Sequence, residues 1–226
     1  MEHVGQLLGR GFLAGLIFAA VCAGFAGVFY LLYRLNNAMK PKEVRQAERR
    51  IVSHRFYKVS GRGRIAYLIL CLEEALRFYG QDFSAWEWIL RQLWSITDCS
   101  ENNWINIWLD SVEKLLPSTV LADNATEPAP AESSKARALY SQAGTAMIVI
   151  HPIMETAYTI VCQWSPSTVA HDPDALSLID NVEDTMNAFG VPLPANEIIQ
   201  PLLAQKDFSL GKPFDGLRVS AIAKQA

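Results

Sequence analysis

The stretch RIAYLILCLEEALRFYG, residues 64–80, decides the fold class. Ile65, Leu68, Leu72, Leu76 and Tyr79 recur at three- and four-residue spacing, the period of a helix with an apolar face, and Gly80 stops it. The same period continues downstream. Ser84 with Glu87 reads as a capping box ahead of Trp86, Ile89, Leu90, Leu93 and Ile96. A third helix carries Trp104, Trp108, Val112, Leu115 and Leu116 and ends at Pro117. These segments predict a first helical subdomain over 64–121.

Residues 122–134 (ADNATEPAPAESS) have two prolines and no apolar anchor, so they read as a linker or loop. Helical signal resumes at Lys135 and reaches Trp164, with Pro152 either kinking that helix or starting another. Its part from Ala143 to Trp164 is apolar enough to suggest a membrane span, but His151, Glu155 and Gln163 would be costly in lipid. It reads as a buried core helix. Asp172 and Pro173 supply a cap and a first-turn proline for a helix ending near Phe189-Gly190. Pro194 opens a short helix cut by Pro201. The tail is irregular around Gly211-Lys212-Pro213-Phe214-Asp215-Gly216. The expectation is an all-α soluble domain, its second part (135–226) packing on the first.

Upstream the pattern changes. After a short segment, 1–10, the run GFLAGLIFAAVCAGFAGVFYLLY from Gly11 to Tyr33 holds no charged side chain. As a helix it spans roughly 34 Å, enough for a hydrocarbon core of about 30 Å. Tyr30 and Tyr33 close it where an aromatic belt belongs, and the absence of a polar break argues against a cleaved signal peptide. Only Arg10 precedes the run, whereas Arg34, Lys40, Lys42, Arg45, Arg49 and Arg50 follow it. The positive-inside rule then places the N-terminus outside and the domain in the cytoplasm, a single-pass protein of a cell (inner) membrane. Residues 34–63 form a basic juxtamembrane stem suited to anionic headgroups. Gly11, Gly15, Ala19, Ala23 and Gly27 make a ridge of small residues at four-residue spacing. Such a ridge lets helices approach closely in lipid, which points to self-association or a membrane partner; the competing reading is that Gly and Ala are common in such helices anyway.

Charge is segregated more sharply than the net −3 suggests. Residues 34–64 hold ten Lys/Arg and two acidic residues; residues 65–226 hold nine and twenty, a balance of −11. An acidic domain argues against nucleic acid and suits a basic protein partner. Cys22, Cys71, Cys99 and Cys162 are scattered singly, which fits free thiols in a reducing compartment.

No motif for catalysis, metal or cofactor emerges, and none is expected. His151 and Glu155 are one turn apart and read as a self-satisfied polar pair in the core. Glu73 with Glu74, Asp110 with Glu113, and Glu183 with Asp184 read as solvated helix faces. Five of the six tryptophans fall between Trp86 and Trp108. Trp88 and Trp94 lie off the main apolar stripe of their helix, so they become candidate partner anchors, with Glu73, Glu74 and Asp110 as acidic contacts. The competing reading is a helix buried on two sides.

Taken together, residues 64–73, Trp86 through Ser95, Leu115-Leu116-Pro117-Ser118 and the segment from Gly211 to Gly216 resemble the helical immunity proteins encoded beside bacterial contact-dependent toxins. The resemblance covers about residues 64–217; the membrane anchor and stem depart from that family's soluble pattern. It implies a non-catalytic inhibitor binding a toxin stoichiometrically, and a basic toxin would be steered onto a −11 domain. The alternative is a membrane-tethered scaffold or assembly factor.

Overall fold

In a computed structural model, the described residues are 53–57, 59–98, 104–122, 131–164, 173–195, 197–198, 200 and 210–222. The chain divides into two units, Met1–Val52 and Ser53–Ala226, and every described residue belongs to the second. The expected membrane helix at 11–33, its ridge at Gly11, Gly15, Ala19, Ala23 and Gly27, and residues 34–52 of the expected basic stem therefore lie outside the described residues; the end of that stem, from Ser53, belongs to the helical unit.

The described residues form helices and no strand, as the periodicity predicts: α1 (Gly61–Phe78), α2 (Phe83–Asp98), α3 (Trp104–Glu113), α4 (Pro117–Val120), α5 (Ala131–Ala143), α6 (Met147–Cys162) and α7 (Pro173–Ala188). Two short 3-10 turns, Gly144–Ala146 and Gly216–Arg218, complete the set. Helix α1 begins four residues before the apolar pattern does, because Ser60 caps it by accepting from the Gly63 amide at 3.2 Å. It ends where expected. Gly80 takes φ +62, and its amide bonds to the Arg77 carbonyl.

Three boundaries differ from the sequence reading. The cap of α2 is Asp82 and not Ser84: its carboxylate accepts the Ser84 amide at 2.9 Å, while Glu87 turns to Arg91. The Ser84 hydroxyl and amide hold that exposed carboxyl below its ordinary range. Pro117 does not end a helix but opens α4, where a missing N–H costs nothing. The loop expected over 122–134 gives up its last four residues to α5, which continues through the 3-10 turn into α6. Pro152 lies inside α6 without ending it.

Helices α1 and α6 pack on each other; α2 lies against α1, and α3, α4 and α7 lie against α6. Nearly all of α1 is covered, including Leu68, Leu72 and Leu76. Val149, Ile150, Ile153, Met154, Ala157 and Ile160 bury the inner side of α6. Each Val, Leu, Ile or Met side chain among them contributes about 1.5–3 kcal/mol when withdrawn from water. The segment Ala131–Cys162 is long and apolar enough to cross a membrane, and half of its most apolar window is buried in the bundle. Its outer stripe includes His151 and Glu155, as befits a core helix with one wet edge.

Candidate functional site

Of the five predicted partner residues, the fold joins Glu73 to Trp94 and buries both. Glu73 is 2% exposed and Trp94 1%. This corrects the solvated reading of Glu73, and for Trp94 it favours the competing reading, an α2 buried on two sides, over the partner anchor. Trp94 Nε1 donates to Glu73 Oε1 at 2.8 Å. The Ser220 hydroxyl donates to that same oxygen, and the Ala221 amide donates to Oε2 at 2.7 Å. Burial pushes the Glu73 carboxyl up, and the three donors pull it only partly back.

The Ser220 and Ala221 donors belong to a strap, residues 210–222, lying across α1 and α2. Its main chain makes most of the bonds. The Leu210 carbonyl accepts the Arg62 amide at 3.0 Å, the Phe214 amide donates to the Thr97 carbonyl at 2.8 Å, and the Gly216 amide donates to Thr97 Oγ1 at 3.2 Å. Asp215 caps the short turn through the Leu217 amide at 3.2 Å. Two glycines make the approach possible. Gly211 has φ +89, and a Cβ there would lie 2.5 Å from Ser60 Cβ. A Cβ on Gly216 would lie 2.5 Å from Thr97 Oγ1 and overlap the Trp94 ring. The sequence reading recognised this segment as irregular but assigned it no binding role.

The other three predicted residues are placed separately. Trp88 is half-buried, with the Lys135 ammonium 4.8 Å above its ring. Glu74 pairs with Arg77 at 2.5 Å. Asp110 is exposed on α3, and one turn before it Ile107 is 56% exposed, an apolar position the sequence reading passed over. His151 and Glu155 do pair, at 3.3 Å, but on the outer edge of α6 and not in the core; Glu155 also accepts the Ser118 amide at 3.0 Å at the start of α4.

A second polar cluster ties residues 53–57 to α7. Arg55 Nη2 donates to the Tyr67 hydroxyl at 2.7 Å and to Glu183, and Tyr67 in turn donates to Glu183 Oε1 at 2.7 Å. His54 Nε2 meets Asp180 Oδ1 at 2.8 Å, with Nδ1 accepting the Phe56 amide at 3.1 Å. Burial raises the Tyr67 phenol and the neighbouring Cys71 thiol, so both stay protonated at neutral pH. Glu183 is thus a bonded anchor and no free solvated acid. The Tyr67→Phe substitution keeps the ring and removes the shared hydroxyl. It should cost about 1–2 kcal/mol, or roughly 3–6 °C in thermal unfolding of the chain. An unchanged midpoint would show that this cluster contributes nothing.

Among the described residues, no group of three or more His, Cys, Asp and Glu side chains is placed to hold a metal ion. No protein-family model, curated protein or solved structure matches the chain. The likeness to immunity proteins therefore rests on the sequence motifs alone.

Proposed function

We propose that the chain is a single-pass membrane protein whose acidic helical domain works in the cytoplasm as a non-catalytic binding protein for a basic protein partner. The observation that carries this reading is the charge split: an uncharged 23-residue run, then a cluster of Lys/Arg, then 162 residues with a balance of −11. Two features of the fold support it. The central carboxylate, Glu73, is used up in holding the chain's own strap. Helix α7 has no Lys or Arg, and its Asp174 and Asp184 are exposed. In its sharpest form the partner is a toxin that must be basic to hold phosphate, and the domain neutralises it by covering that surface. The ridge from Gly11 to Gly27 favours a second reading, a tethered scaffold that pairs in the bilayer.

Topology is the direct test. With reporters fused to the C-terminus, a fluorescent protein should glow and alkaline phosphatase should stay inactive, while the chain resists carbonate extraction. Deleting 11–33 should move all of it to the soluble fraction. An active phosphatase, or a full-length chain already soluble, would overturn the reading. Loss of protection on deleting the gene beside a toxin gene would select immunity; unchanged viability there would select the scaffold.

A further inference from the structure

The strap is unlike the rest of the bundle. Residues 210–215 of it are irregular, its one short turn before Ser220 is Gly216–Arg218, and Lys212, Pro213, Asp215 and Arg218 are exposed. Gly216, Ser220 and Ile222 are its buried positions. What it offers α1 and α2 is chiefly peptide groups, one hydroxyl and one glycine: the Phe214 and Gly216 amides to Thr97, and the Ser220 hydroxyl and Ala221 amide to Glu73. This is how one protein reads a segment of another, with main-chain bonds for affinity and a few shape-restricted positions for selectivity. The receiving side is specific in return. A buried carboxylate accepts only an occupant that brings donors, and the Trp94 face admits only a residue without Cβ.

We propose that this groove between α1 and α2 is a peptide-binding site that the chain fills with its own strap, and that the protein partner enters by displacing the strap with a segment of the same pattern, a glycine four residues ahead of a serine. This rests on the binding-protein reading and names the surface it uses. Trp94 and Glu73, singled out from sequence as partner contacts, are then contacts closed in cis.

The test uses the full-length chain in detergent micelles and a fluorescein-labelled synthetic peptide with the sequence of residues 210–222. In the wild-type chain the strap competes and the peptide binds weakly. In the Gly216→Val chain the strap loses its seat, so the same peptide should bind saturably and at least tenfold more tightly. A peptide carrying the same Gly-to-Val change should not bind either chain. If the Gly216→Val chain does not fold, a chain with a specific protease site in place of residues 201–207, folded and then cut, decides the matter: excess peptide should exchange with the severed strap. A folded Gly216→Val chain that ignores the peptide, or a cut chain that keeps its strap against a hundredfold excess, overturns the proposal. Exchange with the peptide in a chain that proves soluble would sink the membrane-anchored reading and leave the groove standing.

Discussion

The Glu73→Ala chain should unfold roughly 5–15 °C below the wild type and should lose its C-terminal strap to protease while the helices are still intact. Alanine leaves the Trp94 indole N–H, the Ser220 hydroxyl and the Ala221 amide facing a hole where both carboxylate oxygens stood. Each buried donor left without an acceptor costs about 1–3 kcal/mol, offset in part because the buried charge is gone. The net expectation is about 2–4 kcal/mol, with the strap released first because its last anchor lies there. The comparison with Glu73→Gln isolates the charge. Since burial raises the Glu73 carboxyl above its ordinary value of 4.5, the folded chain holds that proton more tightly than the unfolded chain does. Its contribution is therefore fully present below 4.5 and is lost as pH rises through the raised value. The lead of the wild type over Glu73→Gln in thermal midpoint should widen as pH is lowered from 7 toward 4.5. A gap that narrows over that window would mean the three donors outweigh burial and the carboxyl sits low.

Local patterning made the helices legible; the site was not legible, because it is built from pairings between distant residues. A three- and four-residue apolar period is a property of each segment, so α1, α2 and α7 could be drawn before any packing was known. Boundaries followed less well, since capping is decided by single side chains: Asp82 and Ser84 are equally good caps on paper, and the fold uses the first. Glu73 and Trp94 both fall off the expected stripe of their helices. Solvent is the default neighbour for Glu73, whereas for Trp94 burial of α2 on two sides competes with the partner-anchor reading, and the fold buries both. The residue that covers them, Ser220, is 147 positions from Glu73, in a segment without periodicity. A signal was present in the glycines of Gly211-Lys212-Pro213-Phe214-Asp215-Gly216. Two glycines flanking a proline-aromatic pair mark a backbone that must come close to something. The buried Arg62 and Arg64 were missed for a related reason. As cations beside a basic stem they belong with the membrane-facing charge, whereas the fold spends them on main-chain carbonyls, Thr97 for Arg62 and Phe56 and Tyr57 for Arg64.

The second large effect lies in the core, where Trp86→Ala should cost about 3–5 kcal/mol and lower the unfolding midpoint by roughly 10 °C or more. Trp86 is fully buried on α2 and stacks on Tyr140 of α5, with ring centroids 5.6 Å apart. Tyr140 is itself held in place, its hydroxyl donating to the Leu115 carbonyl, so the neighbour cannot swing in to fill the space. The informative partner is Trp86→Phe. The Trp86 indole N–H finds no acceptor among the described residues, whereas those of Trp94 and Trp108 do: Glu73 for the first, and the Gln92 carbonyl at 3.1 Å for the second. Phenylalanine at position 86 therefore gives up area but no hydrogen bond, and should cost about 1–2 kcal/mol. The same change at 94 or 108 removes a hydrogen bond as well and should cost more. If Trp86→Phe proved as damaging as Trp86→Ala, the indole nitrogen would have to be bonded after all, and Trp86 would belong to a polar contact and not to the apolar core.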